Sequence, residues 1–279
     1  MNIRRQTWSI SDAEFRQFQE LLLDITGISL APTKRALVSS RLAKRLHYWE
    51  LNSFGDYLKL INSGEHPEER QLTIDLLTTN ETYFFREPRH FDFVRNHVLP
   101  GLSRGRAVRC WSAACSSGEE PYSLAMLFAD VLGMEGGWEL LGSDISHRML
   151  VRARKGHYLL DRTHHIPPEY LSRFCLKGVN SQDGTFLVRP ELRKRLMLRQ
   201  INLNQALPSI GEFDLIFLRN VLIYFNPETK REVVTRIMGA LRPGGYLIVG
   251  HSESLNGVVN GLETVKPSIY RRPGRPGRS

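Results

Sequence analysis

The sequence is poor in cysteine and contains no long apolar segment. Its 279 residues include three cysteines, and none of them belongs to a Cys-x-x-Cys pair. A disulfide framework is therefore not expected, and the thiols are predicted to be reduced. No apolar run approaches the roughly 20 residues that a helix needs to span a bilayer, and no apolar stretch follows the first few residues. These absences predict a soluble, cytoplasmic protein that does not insert into a membrane.

The sequence also lacks a recognisable metal-binding pattern. Its nine histidines are scattered, and no His, Cys or Asp cluster has the spacing of a ligand set. Hydrophobic residues make up 41% of the chain, which is enough for a core of ordinary size. We therefore expect a globular protein, of roughly two domains for this length, whose chemistry requires no metal.

Acidic residues are outnumbered by basic ones, and the excess is unevenly spread. The formal net charge of +9 favours anionic partners such as nucleic acid, membrane surfaces or acidic proteins. Residues 33–49 contain no acid, and on a helix Lys34, Arg41 and Arg45 would lie within about 40° of one another. This face is either a solvated helix surface or a docking surface. Residues 271–279 carry further arginines among Pro and Gly, and this tail is predicted to be disordered.

The first 79 residues are predicted to form an all-helical domain. Ser11 and Glu14 have the spacing of a capping box, and apolar residues follow at helical intervals up to Gly27. A change of pattern after residue 79 marks the boundary with the next domain. The further helices predicted before that boundary lie at about 33–49, at 53–64 and from 67 onward.

From about residue 105 onward, strand-like and helical runs alternate. Such alternation predicts a mostly parallel, doubly wound sheet with helices on both faces. The stretch 156–195 fits this pattern poorly, because Asp183-Gly184 lies between two apolar runs and indicates an antiparallel hairpin. We predict a small antiparallel β-subdomain at about 175–195, inserted in a domain that spans 80–270. The hairpin is interpreted either as a loop that closes over a site or as a docking surface.

Residues 111–121 combine a strand end, a turn of small residues and a helix start. The run reads Trp-Ser-Ala-Ala-Cys-Ser-Ser-Gly-Glu-Glu-Pro. Small residues allow the backbone to approach a ligand closely, and proline suits the first turn of a helix. A second strand-like run ends at Asp144, where an acidic side chain accepts hydrogen bonds from ribose hydroxyls in nucleotide-binding folds. The two features predict an adenosine site, in which Cys115 serves as a small packing residue.

Two further runs of residues indicate which groups the site binds and which class of reaction it supports. Asn80-Glu-Thr-Tyr-Phe-Phe-Arg-Glu-Pro offers hydrogen-bonding groups and, at Arg86, a fixed cation that suits a carboxylate. Arg219-Asn220-Val221 follows a late strand, at the edge where parallel sheets bind ligands. Nucleic-acid amino-methylases commonly place an Asn/Asp-Pro-Pro-aromatic motif there, so this run argues against base methylation. The Leu-Arg-Pro-Gly-Gly turn before the last strand resembles the class I methyltransferases.

Together these runs closely resemble the chemotaxis receptor methyltransferases, the CheR family of protein-glutamate O-methyltransferases, over about residues 10–270. The resemblance implies an α/β fold of the class I methyltransferase type, Rossmann-like and mostly parallel, with an inserted antiparallel β-subdomain and a preceding all-α domain. It implies S-adenosylmethionine as the methyl donor and S-adenosylhomocysteine as the product, without a metal. The Ala-Cys-Ser-Ser-Gly turn departs from the Gly-x-Gly-x-Gly that is usual in this fold.

The resemblance also implies roles for individual residues. Asp144 would hold the ribose and Asn202 would lie near the adenine. From their chemistry, we predict that Arg86 and Tyr224 are the catalytic residues and orient substrate or cofactor carboxylates through hydrogen bonds. The full set of positions that match the family's cofactor site is Asn80, Thr82, Arg86, Glu119, Asp144, Asn202, Leu203, Asn220 and Val221. The basic residues of the second helix that are expected to dock the receptor are Lys34, Arg35, Arg41, Lys44 and Arg45.

The implied reaction is methyl transfer to glutamate side chains of chemoreceptors during chemotactic adaptation. A glutamate with a pKa of about 4.3 is already ionised at neutral pH, so alignment and desolvation would be needed rather than a general base. The expected partners are receptor coiled-coil domains at membrane receptor clusters, and a receptor C-terminal peptide on the β-subdomain is an open alternative. Two rival functions stay open: a nucleic-acid or small-molecule methyltransferase, and a non-catalytic cofactor-binding regulator.

Overall fold

The computed structural model of the chain describes residues 8–102 and 105–274. These residues form two compact units. The first contains the described residues up to Thr79 together with Tyr224–Asn226, and the second contains 80–223 and the described residues from 227 onward. Among the described residues, no helix is both long enough and apolar enough to cross a membrane.

The first unit is helical, as the sequence predicts. The capping box of Ser11 and Glu14 starts the first helix, and Gly27, with φ of 74°, ends it. Apolar side chains at helical spacing, among them Phe18, Leu42 and Phe54, are fully buried in its core. The helices are α1 (Asp12–Thr26), α2 (Arg35–Tyr48), α3 (Phe54–Asn62) and α4 (Pro67–Leu77).

The second unit is built around a seven-stranded sheet. Five strands run parallel and two antiparallel strands complete one edge, in the order β6-β2-β1-β7-β8-β10-β9. This confirms the predicted α/β architecture. The strands are β1 (Val108–Ala113), β2 (Trp138–Asp144), β6 (Leu196–Gln200), β7 (Phe213–Leu218), β8 (Leu241–Val249), β9 (Glu263–Lys266) and β10 (Ile269–Arg271).

Helices lie between these strands in the chain, in agreement with the alternating pattern. Helix α7 carries ten buried residues, which suits a helix packed on a sheet. The segment after α5 continues through a π-helical turn (Val94–Val98) into α6. The helices of this unit are α5 (Pro88–Phe93), α6 (Leu99–Leu102), α7 (Glu119–Leu132), α8 (His147–Lys155), α9 (Pro168–Phe174), α10 (Pro190–Lys194) and α11 (Pro227–Gly239).

A separate three-stranded antiparallel sheet forms the inserted subdomain. Its strands are β3 (His157–Leu159), β4 (Cys175–Lys177) and β5 (Thr185–Val188), in the order β3-β5-β4. The hairpin predicted around Asp183-Gly184 is the β4–β5 pair. The predicted range of about 175–195 leaves out β3, which pairs with β5 across the intervening α9. A three-residue strand directly after a helix leaves no alternating pattern to recognise.

The first residues of the predicted disordered tail, 271–279, belong to the folded second unit. Arg271 lies in β10, and the Arg272 guanidinium donates to the carbonyl of Met238 at 3.0 Å. These contacts hold two residues that the Pro/Gly-rich composition assigned to disorder. The remainder of the predicted tail includes 275–279, which lie outside the described residues.

Candidate active site

The carboxyl ends of β1, β2 and β7 lie side by side. Ala113 is in register with Ser143 on one side and with Leu218 on the other. The residues that follow these strands therefore leave the sheet at the same edge, where open α/β sheets bind ligands.

A tight left-handed turn follows β1. Ala114, Ser116 and Gly118 have φ values of 66°, 49° and 98°. A Cβ atom at position 118 would lie 2.9 Å from the Cβ of Ala153, so only glycine fits between this turn and α8. The small residues are thus required by backbone conformation and by close packing, which explains the composition of the run.

The carboxylate of Asp144 organises two turns at once. It is buried at the end of β2, where Oδ2 accepts the amide of Ser116 and Oδ1 accepts the amide of Ser146, each at 2.8 Å. Its backbone oxygen accepts the amide of Ile201 at 3.2 Å. The residue predicted to hold a ribose therefore also anchors the exits of β1 and β2.

The segments singled out in the sequence meet around Ser116. Its hydroxyl donates to the Asn80 carbonyl at 3.0 Å, while its amide contacts Asp144. Residues 202 and 203 continue directly from Ile201. The Asn202 side chain accepts the Asn204 amide at 3.0 Å and forms a local turn. Hydrogen bonds thus connect the predicted positions 80 and 144, and the segment carrying 202 and 203, to one strand edge.

Glu119 is a buried acid at the start of α7. It is 1% exposed, and one oxygen accepts the Ser117 hydroxyl at 2.7 Å. The Arg162 guanidinium lies 3.8 Å from the other oxygen and also donates to the Thr82 carbonyl at 2.9 Å. Burial raises the pKa of Glu119, and these partners only partly offset that effect. A buried acid of this kind would be stabilised by a cationic ligand group.

The thiol of Cys115 lies in the same turn and is also buried. Burial raises its pKa well above the ordinary value, so the nucleophilic thiolate is disfavoured. This agrees with its interpretation as a small packing residue.

Arg86 is half-buried and has a defined position. Its guanidinium donates to the Glu81 carbonyl at 2.9 Å and lies 5.6 Å from the centre of the Tyr83 ring. The neighbouring Phe84 and Phe85 are buried in the core of the second unit, where the Phe85 amide donates to the Ser123 hydroxyl at 2.9 Å. The segment that carries Arg86 is therefore anchored on α7.

The exit of β7 depends on a buried cation, Arg219, to which the sequence alone assigned no role in the site. The Arg219 side chain is 1% exposed and lies 2.8 Å from Glu120 and 3.0 Å from Glu87. It also donates to the backbone carbonyl of Arg86. Burial opposes ionisation of both acids. At Glu87 the charge of Arg219 prevails and the pKa is lowered, whereas at Glu120 burial prevails and the pKa is raised.

Glu253 holds the turn that carries Asn220 and Val221. Its Oε2 accepts the amides of Asn220 at 2.8 Å and Gly250 at 2.6 Å, and its Oε1 accepts the amide of Ile223 at 3.2 Å. Asn220 has a left-handed φ of 58°. An acid shortly after the last parallel strand, in His251-Ser-Glu253, was the available sequence signal for this residue.

The predicted catalytic pair is divided between the two units. Arg86 belongs to the second unit, and Tyr224 belongs to the first, where its carbonyl accepts the Ser29 amide at 2.8 Å. Hydrogen bonds of Phe85 and Arg219 hold the segment of Arg86 within the second unit.

The basic residues predicted to dock the receptor fall into two groups; Lys34 directly precedes α2, and the other four lie in that helix. Arg35, Arg41 and Arg45 all have partners inside the first unit: Arg35 pairs with Asp12 at 2.5 Å, and Arg45 donates to the buried Glu69 at 2.8 Å. Arg41 donates to the last carbonyls of α4, including that of Leu76 at 3.0 Å. The remaining two positions, Lys34 and Lys44, are exposed.

The fold brings together one group of ligand-type side chains that no spacing in the sequence indicated. Glu87, His90 and His251 bring one potential metal-ligand atom each to within 4.8 Å of one another. His90 and His251 are far apart in the chain, so no local spacing could have revealed them.

Comparison with known proteins places this site in a family. The description "CheR methyltransferase, SAM binding domain" matches residues 80–270, and "CheR methyltransferase, all-alpha domain" matches 13–78. A chemotaxis protein methyltransferase of Escherichia coli strain K12 is 41% identical over 89% of this chain and 86% of its own. Its counterpart from Salmonella typhimurium strain LT2 is 38% identical over 95% of this chain and 92% of its own.

A third relative, chemotaxis protein methyltransferase 1 of Pseudomonas aeruginosa, is 40% identical over 94% of this chain and 99% of its own. The match thus extends over the helical unit, the parallel sheet and the inserted subdomain alike. With that extent of similarity, and with the strand edge built as described, the chain belongs to the CheR family of S-adenosylmethionine-dependent methyltransferases.

Proposed function

We propose that this protein transfers a methyl group from S-adenosylmethionine to glutamate side chains of chemoreceptors and so produces glutamate methyl esters. The relatives' names describe methyltransferases of chemotaxis, and the family comprises S-adenosylmethionine-binding enzymes. The observation that carries the proposal is the arrangement of Asp144, Glu119 and the Asn80–Arg86 segment, which hydrogen bonds hold at one strand edge.

The residues at this edge suit the donor chemically. S-adenosylmethionine supplies a methyl group activated on a sulfonium sulfur. The buried carboxylate of Asp144 suits ribose hydroxyls, the buried acid Glu119 suits a cationic group, and the guanidinium of Arg86 suits a carboxylate. The further residues we assign to this site are Asn80, Thr82, Asn202, Leu203, Asn220 and Val221.

The protein's contribution to the reaction is alignment and exclusion of water. The acceptor carboxylate is ionised at neutral pH, so no side chain has to remove a proton from it. We assign to Arg86 and Tyr224 the role of orienting substrate or cofactor carboxylates through hydrogen bonds. Desolvating the carboxylate would make it a stronger nucleophile, because its stabilising water shell is replaced by fixed groups.

The test is a methylation assay with a chemical readout of the bond formed. Purified protein is incubated with methyl-labelled S-adenosylmethionine and receptor-containing membranes, and the product is treated with alkali. A carboxyl methyl ester releases volatile labelled methanol, which is the expected result. Label that resists alkali would instead indicate an N-methyltransferase, and no incorporation would indicate a non-catalytic regulator; either outcome contradicts the proposal.

Arg86→Ala should lose most methanol release while the protein stays folded. Arg89→Ala is the matched control, because Arg89 is an exposed arginine three residues away. Equal turnover in the two variants would show that Arg86 does not orient the reactants.

We further propose that two exposed lysines, Lys44 in α2 and Lys34 directly before it, contribute to receptor docking. Lys34 and Lys44 carry charge at the surface, whereas Arg41 and Arg45 serve hydrogen bonds within the first unit. Reversing Lys34 and Lys44 to Glu should raise the KM for receptor, most strongly at low salt, and leave binding of S-adenosylhomocysteine unchanged. Arg16→Glu with Arg70→Glu changes the net charge equally at other exposed positions. A similar KM shift in that control would refute a specific docking role.

A further inference from the structure

Two imidazoles and one carboxylate converge beside the exit of β7. Glu87 precedes α5, His90 lies in its first turns, and His251 follows β8. The rings of His90 and His251 meet edge to face, with centroids 4.7 Å apart. Together they line one wall of a cavity of about 560 Å³, which also contacts Asp92 and His97.

The hydrogen bonds of His90 determine which of its nitrogens carries the proton. The Ser268 hydroxyl donates its proton to the Pro267 carbonyl at 2.6 Å, so towards the ring it acts as an acceptor. His90 Nε2 lies 2.8 Å from that hydroxyl oxygen and therefore donates to it. A ring with its proton on Nε2 has a lone pair on Nδ1.

This lone pair faces another acceptor. His90 is 2% exposed, its Nδ1 atom has no hydrogen-bond partner, and Glu87 Oε2 lies 3.3 Å away. The same oxygen lies 3.0 Å from the Arg219 guanidinium, to which it presents a lone pair. Two electron-rich atoms that face each other in a buried position are stabilised by a cation between them.

The spacing suits a small metal ion. Ligand atoms about 2.1 Å from a tetrahedral ion lie about 3.4 Å from one another. The Nδ1–Oε2 separation already has that length, and His251 Nε2 lies 4.0 Å from the same oxygen. His251 is half-exposed, so a small movement of its ring would complete the set.

We propose that Glu87 Oε2, His90 Nδ1 and His251 Nε2 form a binding site for a divalent transition-metal ion such as Zn²⁺. Two imidazole ligands favour Zn²⁺, Co²⁺ or Ni²⁺ over Mg²⁺ or Ca²⁺, which prefer oxygen. The contact of His90 Nε2 with Ser268 fixes the ring in the way that outer partners of metal-binding histidines do. The remaining coordination position would be taken by water.

Two nearby cations oppose this binding. Arg219 lies 3.0 Å from Glu87 Oε2, and Lys266 lines the same cavity. We therefore expect weaker binding than at structural zinc sites, which close on four protein ligands. Because Glu87 also accepts a hydrogen bond from the Asn220 amide group at 3.2 Å, a bound ion would disturb the exit of β7.

The test is titration of the complete, tag-free protein with Co²⁺, followed by its visible absorption and by competition with Zn²⁺. We expect a tetrahedral Co²⁺ spectrum that Zn²⁺ removes, and an affinity that falls about tenfold or more in His251→Ala. His97→Ala is the matched control, because His97 is an exposed histidine of the same cavity outside the cluster.

The proposal is overturned if the wild-type protein gives no such spectrum, if His251→Ala binds Co²⁺ as tightly as the wild type, or if His97→Ala weakens binding equally. None of these readouts requires methyl transfer. Failure of the metal site is therefore distinguishable from failure of the proposed enzymatic function.

Discussion

The turns that follow β1 and β7 are stabilised by different sets of interactions. At each exit the strand is followed by a turn in which non-glycine residues have left-handed φ values. These residues are Ala114 and Ser116 after β1, and Asn220 after β7. At the first exit a single carboxylate, Asp144, accepts backbone amides. At the second exit Glu253 accepts backbone amides in the same way, and in addition charged side chains hold one another, because Arg219 is buried between two acids.

This difference determines how each exit responds to substitution. A backbone turn held by one acceptor loses a few hydrogen bonds when that acceptor is removed. A buried ion network loses more, because removal of one member leaves its partners charged and desolvated. The β7 exit should therefore be the more sensitive of the two to substitution.

The largest effect is expected for Arg219→Met. The variant leaves Glu87 and Glu120 without their shared cation in a buried environment, which should lower the free energy of unfolding by about 3–5 kcal/mol. Urea unfolding measures this change. Adding Glu120→Gln to Arg219→Met should restore part of the loss, because it removes one of the unpaired charges; a double variant no more stable than Arg219→Met would refute the ionic explanation.

At the β1 exit, Asp144→Ala should cost about 1–3 kcal/mol. The amides of Ser116 and Ser146 would both lose a buried acceptor. Asp144→Asn keeps one side-chain oxygen and should cost less. Urea unfolding of both variants measures the stability effect, and calorimetry with S-adenosylhomocysteine measures the loss of binding expected from the proposed ribose contact. An Asp144→Ala loss as large as that of Arg219→Met would abolish the contrast between the exits.

Glu119 and Glu120 are adjacent acids at the start of α7, and replacing each with glutamine should change the free energy of unfolding in opposite directions. Glu119→Gln removes a buried charge that is poorly compensated, so we expect a gain of about 1 kcal/mol near pH 8, together with weaker binding of S-adenosylhomocysteine. Burial also raises the pKa of Glu120, but Glu120→Gln takes a charged partner from the buried Arg219 guanidinium, and this loss should outweigh the gain and destabilise the protein.

The gain in Glu119→Gln should depend on pH. The pKa of Glu119 is raised in the folded protein, so its contribution to stability is fully present below the ordinary glutamate pKa and is lost as the pH rises through the folded value. Glutamine does not titrate, and the difference between the variant and the wild type should therefore vanish toward pH 4 and grow above it. Unfolding curves at several pH values measure this difference, and a gain that stays constant with pH would contradict the assignment of a buried, titrating Glu119.

The same contrast explains what could be predicted from the sequence. The small-residue turn, the acid at position 144 and the Ser11–Glu14 capping box are local patterns, and each has a direct backbone consequence. The partners of Arg219 and Asn220 come from segments distant in the chain, so only the fold brings them together. Strand β3 was missed for a similar reason, since its three residues are recognised only by their pairing with β5.

The smallest effect is expected for Ala114→Gly. Alanine in the left-handed region has a steric cost that glycine avoids, and this gain is reduced by the greater freedom of glycine in the unfolded chain, so the variant should be more stable by about 1 kcal/mol or less. Asn220→Gly is the matched change at the other exit. Asparagine tolerates this conformation, and its side chain donates to Glu87 at 3.2 Å, so replacement there should give no gain. Thermal unfolding of the two variants compares the exits directly. Equal gains would mean that the Asn220 side chain contributes nothing to the turn, and that the β7 exit is held by Glu253 and Arg219 alone.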